Sequence, residues 1–104
     1  MNIKNFDLNL LVVFKTLFEE KNVTKASKKM GITQPAMSNA LNRLRYLVKD
    51  ELFIRGPRGM RPTPRANDLS LPIQSALNNL ESSFDLNGGY ISSEEYYNNM
   101  NDFS

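Results

Sequence analysis

The sequence predicts a mainly α-helical fold in one small domain. Three observations predict it. Apolar residues recur at steps of three and four in four separate stretches. Each stretch opens on an Asn or Thr able to cap a helix. A single short segment, residues 52–63, breaks the pattern with two β-like runs around a Gly-Pro-Arg-Gly turn. The length of 104 residues suits one domain. At 40% hydrophobic and 23% charged, the chain can bury one modest core.

The first helix is expected from Asn5 to Lys21. Leu10, Leu11, Phe14, Leu17 and Phe18 share one face. Asn5 is the expected N-cap, and Asp7 suits the first turn. Thr24 is the expected cap of a short second helix reaching Met30. Ala26, Met30 and Ile32 are expected to point inward, and Lys25, Lys28 and Lys29 outward. Gly31 then stands where a left-handed residue ends a helix.

Thr33 caps the third helix, and Gln34 and Pro35 fill its first turn, where proline's missing N–H costs nothing. Met37, Ala40, Leu41, Leu44, Leu47 and Val48 mark its apolar stripe, the strongest helical signal in the chain. The opposite face carries Ser38, Asn39, Asn42, Arg43, Arg45 and Lys49, with no acid before Asp50. Residues 52–55 and 60–63 read as two short strands joined by a turn, a hairpin bearing Arg55, Arg58 and Arg61. Pro62 is tolerable there only because a hairpin has edges.

Thr63-Pro64 is another cap followed by proline, so a fourth helix starts there. Leu69, Ile73, Ala76, Leu77, Leu80 and Phe84 form its stripe. Pro72 lies inside it and removes the bond to the Asp68 carbonyl, which predicts a kink or an imperfect turn. Gly88-Gly89 is expected to end the helix. The remaining polar tail reads equally as a frayed terminus or as a short helix capped by Ser92 and Glu95.

Composition removes several chemistries. Without Cys there is no disulfide framework, thiolate nucleophile or cysteine zinc site. Without His the commonest general base and metal ligand is missing. Neither a Gly-rich phosphate loop nor a convincing carboxylate pair is present, so the expectation is no enzyme, no metal and no cofactor. The start of the chain shows no secretory pattern, and no apolar run is long enough to cross a bilayer. The expectation is a soluble, cytoplasmic, nucleoid-associated protein without membrane partners.

The formal charge of +2 hides an asymmetry. All 13 basic residues lie in 1–65 against five acids, a local excess of eight. The remaining 39 residues carry six acids and no base. A basic front half suits a polyanion. A short helix, a tight Gly turn and a second helix with a polar N-terminal face make a helix-turn-helix pattern, and the Arg-bearing hairpin adds a wing. A major groove accepts one helix, whose first turns meet base edges. Gln34, Ser38, Asn39 and Asn42 offer donors and acceptors there. Arg43 and Lys49 suit phosphates, and Arg58 suits a narrow A·T-rich minor groove.

Three runs in this region resemble the N-terminal domain of LysR-type transcriptional regulators. They are Asp7-Leu8-Asn9-Leu10-Leu11, Asn22-Val23-Thr24-Lys25-Ala26-Ser27, and Gly31-Ile32-Thr33-Gln34-Pro35-Ala36-Met37-Ser38-Asn39-Ala40-Leu41. The resemblance continues through residues 50–55 and 58–66, and the wing is most similar to the branch that includes the nodulation activators. It implies a winged helix-turn-helix over 1–63, a long linker helix over 64–87 and a polar tail over 88–104. It implies groove-facing positions at Gln34, Pro35, Ser38, Asn39 and Asn42, with backbone contacts at Thr33 and Arg43. It places wing contacts at Arg55 and Arg58, with Arg61 beside them.

The same resemblance implies that two linker helices pack into a homodimer through Leu69, Ile73, Leu77, Leu80 and Phe84. Many relatives carry a basic residue where Asn39 stands, so the preferred bases differ. Nothing in 85–104 resembles the opening strand of the family's C-terminal effector domain. The expected function is therefore sequence-specific binding of double-stranded DNA by a dimeric regulator module without that domain. A second reading, from another class, is a protein-interaction module that heterodimerises with a full-length relative.

Overall fold

Twelve buried apolar side chains, drawn from every helix and from the hairpin, make one core. The computed structural model describes residues 3–84. A 3-10 turn at Ile3–Asn5 precedes four helices, α1 (Asn9–Glu20), α2 (Val23–Met30), α3 (Gln34–Val48) and α4 (Pro64–Ser83). Between α3 and α4 lie strands β1 (Phe53–Gly56) and β2 (Gly59–Pro62), paired antiparallel as the wing.

The first helix begins four residues later than expected. Asn5 belongs to the 3-10 turn, and Asp7 Oδ1 instead accepts from the Asn9 N–H at 3.0 Å. Leu10, Val13, Phe14 and Leu17 are its buried apolar face, whereas Leu11 is only half-buried. Helix α1 ends at Lys21, which takes a left-handed conformation at φ 53°.

Helix α2 is capped by Asn22 and not by Thr24. Asn22 is extended, and its Oδ1 accepts from the Lys25 N–H at 2.8 Å. Thr24 lies inside the first turn, where its carbonyl accepts from the Ser27 hydroxyl. Gly31 ends α2 at φ 69°, as the sequence predicts. Ala26 and Met30 point inward as expected, whereas Ile32 is exposed and Val23 packs against the core in its place. A surface ion pair, Lys29 Nζ to Glu19 at 3.1 Å, ties α2 to α1 and raises the Lys29 pKa through that hydrogen bond.

Helix α3 starts as predicted, with Thr33 Oγ1 accepting from the Ala36 N–H at 3.2 Å. Its Met37, Leu41 and Leu44 are buried against α1 and the wing. Strand β1 begins one residue later than predicted and β2 one residue earlier. Leu52 precedes β1 at φ 64° with its side chain fully buried, and Thr63 leaves β2 to cap α4. Phe53 anchors the wing, its ring 5.5 Å from Phe14 and 6.4 Å from Phe18. Pro57 opens the two-residue loop and fixes a negative φ, which excludes the mirror-image hairpin turns, and Gly59 supplies the positive φ of 108° after it.

Helix α4 runs unbroken through Pro72, so the proline does not end it. The helix closes at Phe84. The expected Gly88-Gly89 stop and the tail lie outside the described residues.

Candidate nucleic-acid interface

The polar face of α3 follows from its buried one. With Met37, Leu41 and Leu44 inward, helical periodicity turns Pro35, Asn39, Asn42, Arg43 and Tyr46 outward. All five are exposed, as are Thr33 and Gln34 in the cap and first turn. Ser38 is half-buried at the edge of this face. Helix α3 itself contains no acid. Tyr46 is absent from the sequence-based site, yet it is 82% exposed. Its signal was positional, four residues beyond Asn42 and seven beyond Asn39.

The wing divides its arginines. Arg55 pairs with Met60 and lies on the hairpin face of Phe53, turned toward α3. A cleft of ≈ 400 Å³ between α3 and the wing is lined by Ser38, Asn42, Arg45 and Arg55 among others. A second cleft of ≈ 240 Å³ brings Gln34 and Arg55 to a shared wall with Asn22 and Thr24. Arg58 stands at the tip of the turn, fully outside. Arg61 pairs with Ile54 and so lies on the opposite face from Arg55. Gln34, Ser38, Asn42 and Arg55 therefore border adjoining clefts; Arg61 lines neither of them but shares a cleft of ≈ 630 Å³ on the wing with Arg55 and Arg58. None of the three wing arginines forms an ion pair among the described residues.

Two cations of α3 have internal partners. Arg43 Nη1 meets Asp7 Oδ2 at 3.2 Å, with the arginine side chain 60% exposed. This leaves most of the guanidinium open to solvent, and an exposed pair of this kind contributes only about 0–1 kcal/mol. Arg45, which the helical pattern places on the solvated face, is instead a structural tie. Its Nε donates to the Glu51 carbonyl at 2.8 Å and its Nη2 to the Phe53 carbonyl at 2.6 Å. Its Nη1 donates to Asn42 Oδ1 at 3.2 Å.

Two further ties fix the wing. The Met60 N–H donates to the Lys21 carbonyl at 2.8 Å, joining β2 to the end of α1. Asp50 Oδ2 accepts from the Thr63 hydroxyl at 2.7 Å and from the Leu52 N–H at 2.8 Å. These two bonds, the Thr63 hydroxyl first, hold the Asp50 pKa below its ordinary value. The same Thr63 oxygen accepts from the Ala66 N–H at 3.2 Å, so Asp50 also orients the cap of α4.

The long α4 stripe is split between two environments. Leu69 and Ile73 pack against the domain's own core. Leu77 is half-buried, and Leu80 and Phe84 are 47% and 67% exposed. Leu71, on another side of the helix, is 72% exposed.

A small core built from four helices, with an arginine wing and an acid-free polar helix, matches one known group. A model of bacterial regulatory helix-turn-helix proteins of the lysR family matches residues 8–67. The chain belongs to the LysR family. Over 83 residues, 80% of its length, this LysR-family chain is 49% identical to the transcriptional activator NagR of Ralstonia and 47% identical to nodulation protein D 1 of Bradyrhizobium. It spans only about a quarter of those relatives, 28% and 26% respectively.

Solved structures agree on the fold. A probable transcriptional regulator from Pseudomonas aeruginosa superposes with a TM-score of 0.78 at 37% identity, over 86% of this chain and 30% of that one. The BenM DNA-binding domain in complex with catB site 1 DNA superposes at 0.73 with 26% identity, over 82% of this chain and all of that one. The residues described here thus form the winged helix-turn-helix DNA-binding domain of a LysR-type transcription regulator.

Proposed function

We propose that this LysR-family domain binds double-stranded DNA sequence-specifically as a symmetric dimer. In this reading α3 enters the major groove. Gln34, Pro35, Ser38, Asn39 and Asn42 meet base edges, while Thr33 and Arg43 meet the backbone. Arg55 and Arg58 extend the contact from the wing. Arg61, on the far face, serves only the surrounding electrostatic field.

The observation that carries the reading is the exposed, acid-free face of α3 beside Arg55 in adjoining clefts. Hydrogen-bonding groups without fixed negative charge, bordered by an open cation, suit a polyanion that also presents polar edges. Dimerisation is supported by the apolar groups that α4 leaves exposed after Leu69 and Ile73 have joined the core. Leu80 and Phe84 lose no internal contact by pairing with a second copy.

The test is selection from random duplex DNA with the purified chain. Enrichment of two inverted half-sites at fixed spacing is the expected result. Enrichment of one half-site alone removes the dimer and keeps the groove-reading helix. Binding without enrichment, seen only at low salt, removes sequence reading altogether.

A further inference from the structure

Groove reading leaves one exposed side chain of α3 without a task. Tyr46 is 82% exposed. At about 3.6 residues per turn it stands almost opposite the buried line of Met37, Leu41 and Leu44. It therefore continues the outer line of Pro35, Asn39 and Asn42. We propose that Tyr46 and Lys49 form a phosphodiester subsite at the far end of α3, the phenol donating a hydrogen bond to the phosphate whose charge Lys49 meets. The inference rests on the reading above, in which α3 enters the groove.

The two side chains share a cleft. An open depression of ≈ 520 Å³ is lined by Arg45, Tyr46, Leu47 and Lys49, and no acid borders it. The neighbouring carboxylates are engaged elsewhere. Asp50 accepts from the Thr63 hydroxyl and the Leu52 N–H, and Glu51 lies 3.8 Å from Arg45 Nε. Arg45 is turned to the Glu51 and Phe53 carbonyls, which leaves Lys49 as the cation open to a ligand. Lys49 is exposed and forms no ion pair among the described residues. The carbonyl end of a helix disfavours anions. Here the Lys49 N–H covers the Arg45 carbonyl, and its ammonium offsets the dipole.

Helix length sets what this cleft can meet. The 15 residues of α3 span about 22 Å, and Tyr46 lies about 18 Å beyond Gln34 along the axis. The major groove is about 12 Å wide and winds around the duplex. A straight helix whose first turns meet base edges therefore carries its last turn out to a bordering phosphate strand. Duplex bases are stacked on one another, so their faces are closed to the phenol ring. The hydroxyl remains, and phosphate oxygens are common acceptors for it.

The two contacts leave different signatures. A neutral donor adds affinity without displacing a counterion, whereas a lysine displaces one. Tyr46→Phe should weaken the selected duplex and an unrelated duplex by the same factor, about three- to tenfold, with the salt slope unchanged. Lys49→Ala should weaken both as well, but lower the slope by about one. Urea unfolding should not distinguish Tyr46→Phe from the native chain, since the hydroxyl has no partner to lose in the fold.

Single methylphosphonate replacements along the selected duplex then locate the phosphate. At one position in each half-site, replacement should weaken the native chain more than either variant. Tyr46→Phe binding every duplex as tightly as the native chain overturns the inference. So does a changed preference at one base pair, which would make Tyr46 a base contact, or a different phosphate for each variant. These three outcomes leave groove reading intact. A chain that enriches no sequence overturns both, because the subsite depends on α3 being seated in the groove.

Discussion

Replacing Gly59 with alanine tests how the wing is mounted. Gly59 has φ 108°, and a Cβ built there lies 2.5 Å from the Lys21 carbonyl oxygen. That oxygen is backbone, and it already accepts from the Met60 N–H at 2.8 Å. Alanine must adopt a conformation that costs about 1–3 kcal/mol. The clash also pushes β2 off α1 and forfeits a hydrogen bond worth about 0.5–1.5 kcal/mol. The expected loss is therefore about 2–4 kcal/mol.

Gly31→Ala is the control. Gly31 also has positive φ, 69°, but nothing lies within 4 Å of its added Cβ. It should lose only the left-handed cost, about 1–2 kcal/mol. Urea unfolding followed by circular dichroism, at one protein concentration, gives both numbers. Equal losses in the two variants would refute the mounting of the wing on the Lys21 carbonyl.

Four further outcomes follow from the same contacts. Asp50 has its pKa depressed by the Thr63 hydroxyl and the Leu52 N–H. Its ionised form therefore stabilises the fold at pH above the ordinary carboxylate value of 3.8. That contribution disappears as pH falls through the depressed value, and Asp50→Asn should flatten this part of a stability–pH curve. Asn39→Ala should change base preference at one position by ~1–3 kcal/mol, read from competition with single-base variants. Lys49→Ala should weaken all duplexes alike and reduce the salt slope by about one, read by titration at several salt concentrations. Leu80→Glu places a charge on the exposed stripe of α4, so sedimentation should show more monomer with unchanged helix content.

Local signals were legible where one residue type does one job. Thr33 and Thr63 cap the helices the sequence assigned to them, and Gly31 ends α2. Asn22 and Thr24 are both good caps two residues apart, and local sequence does not choose between them. Here Val23 decides, because starting α2 at Val23 packs that side chain against the core. Leu52 at φ 64° has no sequence signature, since leucine enters that region only when burial compels it. The split of Arg55 from Arg61 was readable in principle. Phe53 and Arg55 share one strand face, and antiparallel pairing places Met60 beside them and Arg61 opposite. Arg45 was not readable, because helix position marks it as solvated and only the folded wing brings two carbonyls to it.

These ties imply a division of labour among the basic residues. The wing is fixed through Arg45 to α3, through Asp50 and Thr63 to α4, and through Met60 to α1. Its position is therefore set by contacts that involve neither Arg55 nor Arg58. Removing either of those arginines should alter binding without altering stability. Removing Arg45 leaves two carbonyls and one asparagine oxygen without their charged donor, so it should lower both. A cation's effect on stability thus distinguishes those that build the interface from those that meet the ligand, although every one of them lies in the same basic half of the sequence.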